Sequence, residues 1–265
     1  MTPTDALYVY GVVPKDTAAG VFADVSGIDP ATEIQLVEGG DVAAITSGVS
    51  LEEFGLQALE ANLRDAVWLE QKVRAHNSVL GGAVGETTVL PFRFGAIYNG
   101  EEQVRAMLSE RRELVGALSR LRGALEFGVK GFVDGALLRD RLSRGRGVDS
   151  GEATGGRAYM QRKRLEQQLD GDLRTFAASC AETSHERLVA AAAEARANPP
   201  QHPSADGREM LLNGAYLVAG DREHDLRDAV RELQKRFGDH GVTYELTGPW
   251  PPYNFVEEEG EVERS

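Results

Sequence analysis

A chain of 265 residues, 42% hydrophobic and 27% charged, is ordinary for a globular protein of one large or two modest domains. Its formal net charge of −13 argues against nucleic acid as the main partner, because neutralising phosphates needs a basic surface. No apolar run approaches the roughly 20 residues that span a bilayer, "MTPTDALYVY" lacks the basic start and apolar stretch of a signal peptide, and the single Cys180 excludes an intramolecular disulfide. A cytoplasmic protein with no membrane partner is expected.

The charge is unevenly spread. Residues 1–60 hold ten acids and only Lys15 as a base, whereas residues 134–164 hold eight Arg or Lys against four acids. Such polarity can turn an acidic and a basic face toward different neighbours, or simply solvate two surfaces.

"ALYVYGVV", residues 6–13, reads as a strand with Leu7, Val9 and Val13 on one face. "EIQLVEGGDVAAITS" follows as a hairpin split by Gly39 and Gly40. From Leu56 to Leu80 the spacing is helical, with Leu69, Val73, His76 and Leu80 on a stripe. "TTVLPFRFGAIY" is extended but interrupted by Pro91, which has no N–H for a ladder, so an edge strand is expected. Residues 101–122 read as helix.

"ALEFGVKGFVD" alternates again, with Leu125, Phe127, Val129 and Val133 inward and Glu126 and Lys130 outward. The Gly- and Arg-rich stretch 143–156 reads as a mobile loop, and 157–198 as one long helix ended by Pro199, Pro200 and Pro203. The last quarter reads as the strand "EMLLNGAYLVAG", a helix capped by Asp221 and carrying Leu226, Ala229, Val230, Leu233 and Phe237, and the strand "VTYELTG". The fold class is therefore α+β with two domains: an N-terminal α+β domain, 1–122, and a ferredoxin-like domain with a long helix, 123–256. A disordered acidic tail, 257–265, is expected beyond them.

Motifs for chemistry are sparse. There is no GxxxxGK[ST] phosphate loop, HExxH zinc helix or GxSxG elbow. Glu182 and His185 have di-iron spacing, but no second matching pair follows. His76, on the apolar stripe beside Trp68, reads as a hydrogen-bonded interfacial histidine rather than an axial ligand or general base. Phe92, Arg93 and Phe94 form a candidate partner contact, with an outward-facing strand arginine as the plainer reading. "GPWPPYNF" sets Pro249, Pro251 and Pro252 among Trp250, Tyr253 and Phe255, either a clasp that folds back on the protein or a stiff aromatic docking strip.

"YVYGVV", "VLPFRFGAIY", "EFGVKGFVD", "GRAYM" and the terminal "YELTGPWPPYNFV" occur in the order expected of the gas vesicle protein F/L (GvpF/GvpL) family, which the chain resembles over nearly its whole length. The terminal motif is the most specific of these. The resemblance implies an N-terminal α+β domain followed by a modified ferredoxin-like domain. It also implies an accessory or minor structural protein of gas vesicle formation that binds the hydrophobic shell protein and other accessory proteins, with no enzymatic activity, cofactor or metal. The competing reading is a tandem ferredoxin-like haem- or small-molecule-binding protein or enzyme, with His76 or His185 as an axial ligand.

Overall fold

In the computed structural model, which describes residues 6–145, 156–200 and 207–256, strand β1 (Ala6–Pro14) lies at the centre of a five-stranded sheet. The hairpin β2 (Ile34–Gly39) and β3 (Val42–Val49) closes through Gly40, whose positive φ of 66° suits glycine, and β3 pairs antiparallel with β1. A bulge at Tyr10, where Val9 pairs with Thr46 but Gly11 with Ile45, breaks the alternation of β1. Val13 therefore joins the core cluster of Tyr8 and Tyr10 instead of following Leu7 and Val9.

The edge of β1 away from β3 is met by two short strands, β4 (Leu90–Pro91) and β5 (Ile97–Tyr98). Pro91 confines β4 to two residues, and the Phe92 N–H and Ala96 carbonyl continue the bonding to Tyr10 and Val9 at 2.9 and 2.8 Å. The helical stretch expected from Leu56 to Leu80 is two helices, α2 (Leu56–Asn62) and α3 (Ala66–Ala83), preceded by the single turn α1 (Leu51–Phe54). Ser50 caps α1, and the Asp65 carboxylate accepts from Val67 N and Trp68 N at the start of α3. Helix α3 continues through Gly81 and Gly82 and buries His76, Val79, Leu80 and Ala83. Helices α4 (Glu101–Glu110) and α5 (Glu113–Leu121) press Val104, Met107, Leu108, Leu114, Leu118 and Leu121 toward strands β1 to β4.

A second sheet contains β6 (Ala124–Val133), β7 (Glu194–Ala197), β8 (Glu209–Ala219) and β9 (Val242–Trp250) in the spatial order β7-β8-β6-β9. Helices α6 (Gly135–Gly145) and α7 (Gly156–Val189) join β6 to β7, and α8 (Glu223–Phe237) joins β8 to β9. This is the βαββαβ connectivity of a ferredoxin-like sheet.

Several expectations change here. The long helix stops at Val189 rather than Asn198, and β7 follows it as an edge strand paired with β8. Asp221 does not cap α8; it lies in a 3-10 turn, Gly220–Arg222, that leads into the helix. Glu126, expected on the outward face of β6, is buried. Of the loop expected at 143–156, Ser143 to Gly145 close α6 while residues 146–155 lie outside the described residues, as does the acidic tail at 257–265.

The chain groups into two units: one takes the described residues of Met1–Glu126 and Pro249–Ser265, the other is Phe127–Gly248.

Candidate functional site

The first unit is organised around an aromatic cluster whose members the sequence scatters from Tyr8 to Phe94. Tyr8 sits at 4.9 Å from Tyr10, 6.1 Å from Phe54, 5.7 Å from His76 and 6.0 Å from Phe94, measured between ring centroids. Trp68 extends the cluster to Phe54 and Phe94 at 5.6 and 6.3 Å. Tilted and edge-to-face pairs at these distances are favourable geometries for ring quadrupoles. Lys72 lies over the Phe54 and Trp68 rings, pairs with Glu53 at 2.8 Å and donates to the Ile28 carbonyl at 3.1 Å, so its charge is satisfied within the fold.

The hydroxyls of this cluster are hydrogen-bonded in a chain, while His76 Nε2 is buried without a hydrogen-bond partner. Tyr10 donates or accepts with Ser47 at 2.7 Å and accepts from the Ile28 N–H. The Tyr8 hydroxyl accepts from the Gly95 N–H at 3.1 Å and lies 2.9 Å from His76 Nδ1. Which of the two atoms donates depends on the imidazole tautomer. Burial pushes the His76 imidazole down to about 4, against a smaller upward pull from the Phe92 backbone, so the ring is neutral at pH 7. Burial also pushes the Tyr8 and Tyr10 hydroxyls up. These are features of an uncharged, hydrogen-bonded core.

The terminal segment closes over the same region. Pro251 and Pro252 are buried, and a 3-10 turn, Tyr253–Phe255, buries Phe255 completely. Arg120 donates to the Phe255 carbonyl. Tyr253 donates to Asn77 Oδ1 at 2.8 Å, and its ring lies 6.5 Å from that of His76. The Asn254 N–H and side-chain amide both donate to the Glu126 carboxylate, at 2.9 and 2.6 Å. This bond pair is why Glu126 is buried against the alternation of β6. Trp250 is 50% exposed and Tyr253 39% exposed. Trp250 walls a groove of about 440 Å³ on α3, with Glu70, Val73, Arg74, Asn77 and Ser78.

Phe94 packs into the aromatic cluster, Phe92 is half-buried with the Arg111 guanidinium 5.8 Å from its ring centre, and Arg93 is exposed. Sequence reasoning missed Asn77, Arg120 and Glu126, since no local pattern marks a partner more than a hundred positions away. In the second unit, Glu182 is exposed and His185 Nδ1 lies 3.0 Å from the Tyr216 hydroxyl. Among the described residues no group of three or more His, Cys, Asp or Glu is placed to hold a metal ion, and no helix is long and apolar enough to cross a membrane. Cys180 and Ser184, one helical turn apart on α7, both reach the Tyr244 hydroxyl, at 3.5 and 2.6 Å, and burial pushes the thiol up, away from nucleophilic reactivity.

The arrangement is therefore one of packed aromatic rings closed over by the 249–256 segment. Residues 6–257 match the model of the family described as gas vesicle synthesis protein GvpL/GvpF. Gas vesicle protein L of Streptomyces sp. (strain CB03234) is 32% identical over 96% of this chain and 94% of its own length, and gas vesicle protein F of the same strain is 29% identical over 94% and 99%. The crystal structure of GvpF from Anabaena sp. PCC7120 superposes with a TM-score of 0.70 at 20% identity, covering 98% of this chain and 99% of that one. GvpF from Microcystis aeruginosa superposes with a TM-score of 0.65 at 21% identity over 95% and 99%. These two likenesses establish the shared fold, and with the family model spanning nearly the entire sequence, the chain belongs to the GvpL/GvpF family of gas vesicle proteins.

Proposed function

We propose that the protein is an accessory or minor component of gas vesicle formation, acting by binding the hydrophobic shell protein and other accessory proteins during assembly or nucleation. The observation that carries this reading is the family match over residues 6–257. A wall that excludes liquid water must present a very apolar gas-facing surface, and its unassembled subunits would aggregate through it. An acidic partner that binds such subunits keeps them available to the growing wall by mass action. The reading assigns no catalytic step, and it places the protein in the cytoplasm, at the vesicle.

The terminal segment supports a binding role as a candidate contact surface. Phe255 and the two buried prolines hold the segment, while Trp250 stands half exposed beside the α3 groove. An aromatic side chain on a backbone already held in place loses little conformational freedom when a partner covers it. Deleting the gene and imaging for gas-filled vesicles tests the reading, with loss of vesicles expected. Normal vesicles in the deletion strain, together with no co-purification of shell protein, would reject it.

A further inference from the structure

A different part of the first unit carries an apolar surface that the fold leaves uncovered. Leu51, Leu56, Leu63 and Val67 are 40%, 72%, 43% and 66% exposed, and all four fall between the start of α1 and the first turn of α3. Helix α2 buries none of its residues. Its two leucines and its C-cap Leu63 nevertheless recur at i, i+3 and i+7, so Leu56, Leu59 and Leu63 share one stripe. Leu59 packs against the core cluster, and the other two overhang it. An apolar stripe that uses one leucine of three for the core is matched to something beyond this chain's own packing.

The surrounding charge says what kind of partner fits. Glu52, Glu60 and Asp65 are exposed around these residues, and Glu60, four positions after Leu56, flanks the stripe on its solvent side. Asp65 is held in place by capping α3. Arg64 is the exposed base between them, while Lys72 is committed to Glu53 and Ile28. A second copy of the same surface would set these acids against each other.

We propose that the corner made by α1, α2 and the start of α3 docks an amphipathic helix whose apolar face is flanked by Lys or Arg, contributed by another vesicle component. This rests on the binding role proposed above. The apolar face of the incoming helix covers Leu56, Leu63 and Val67, and its cations meet Glu52, Glu60 and Asp65, which sets its register and excludes acidic helices.

The test uses the full chain and two labelled model helices with the same leucine face, one flanked by Lys and one by Glu, with binding followed by fluorescence anisotropy. The Lys-flanked helix should bind about tenfold or more tightly than its Glu-flanked twin. Leu56→Asp and Val67→Asp should each weaken that binding about tenfold, with melting temperatures unchanged because both side chains are exposed. Glu60→Lys should narrow the preference between the twins. Equal binding of the two helices, wild-type affinity in Leu56→Asp, or a wild-type dimer that Leu56→Asp dissociates would each overturn the proposal. A pull-down with purified shell protein separates the two readings. Capture that survives Leu56→Asp sinks this surface and leaves the binding role standing, whereas no capture by a wild-type protein that binds the Lys-flanked helix sinks shell-protein binding alone.

Discussion

Glu126 and Asn254, 128 positions apart, are joined by two hydrogen bonds, from the Asn254 N–H to Oε2 at 2.9 Å and from its side-chain amide to Oε1 at 2.6 Å. A carboxylate that accepts twice from one asparagine fixes both the backbone and the side chain of the terminal turn. Glu126→Ala leaves those donors without this acceptor and should cost about 2 kcal/mol. Glu126→Gln keeps one amide oxygen and should cost about half as much. Urea midpoints at constant m-value measure both; a wild-type midpoint for Glu126→Ala would show that the terminal segment is anchored elsewhere.

Trp250 and Phe255 should respond oppositely to truncation. Phe255 is fully buried, and Phe255→Ala is expected to cost about 3–5 kcal/mol. Trp250 is half exposed, so Trp250→Ala should stay within about 1 kcal/mol of wild type while weakening partner binding. Parallel melting and shell-protein pull-downs on the two variants distinguish a holding residue from a contacting one. Equal destabilisation by both would make Trp250 part of the clasp.

His76 makes stability depend on pH in a defined direction. Its imidazole titrates near 4 in the fold against 6.5 for the free side chain, so the unfolded chain binds the proton first. The contribution is fully present above about 6.5 and is lost as pH falls toward about 4, by on the order of 3 kcal/mol in total. His76→Gln, which keeps a hydrogen-bond partner for Tyr8 and does not titrate, should close its gap to wild type across that window. Melting curves between pH 7 and 4.5 give the comparison, and parallel pH profiles would remove His76 as the cause.

Two glycines should behave as opposites. A Cβ at Gly11 would lie 2.5 Å from the Leu90 carbonyl oxygen and 3.1 Å from Pro91 Cα, where the obstacle is backbone. Gly11→Ala should therefore destabilise by about 1–3 kcal/mol by forcing β4 off the edge of β1. At Gly171, within α7, a Cβ would meet nothing within 4 Å. Gly171→Ala should stabilise by about 0.5–1 kcal/mol, read from thermal or urea unfolding.

The elements that were legible in the sequence are those whose stabilising pattern is local. The β2–β3 hairpin announces itself through Gly39 and Gly40, and α8 through the stripe Leu226, Ala229, Leu233 and Phe237, all buried. Strand β7 was not legible, because "EARA" consists of good helix formers. It is extended because β8 pairs with it from Glu194–Leu217 to Ala197–Gly214, and tertiary pairing outweighs a propensity of a few tenths of a kcal/mol per residue. The bulge at Tyr10 likewise has no local signature, yet it decides which face Val13 joins. At the candidate site the aromatic residues of 249–255 stood out at once by type. The segment's partners Asn77, Arg120 and Glu126, which meet Tyr253, the Phe255 carbonyl and Asn254, are polar residues in ordinary helix and strand contexts, and only the folded chain brings them together.

The grouping of the last described residues with the first unit has a consequence for synthesis. The chain leaves that unit at Glu126 and re-enters it at Pro249, so the second unit is spliced into the first in sequence. While the protein emerges from a ribosome, the aromatic cluster around Tyr8 and His76 can assemble early, but the site for Phe255 stays open until the second unit has been made. Completion of the first unit thus waits for the second to be made, and a nascent fragment ending before Pro249 would carry an unfilled apolar recess exposed to chaperones and proteases.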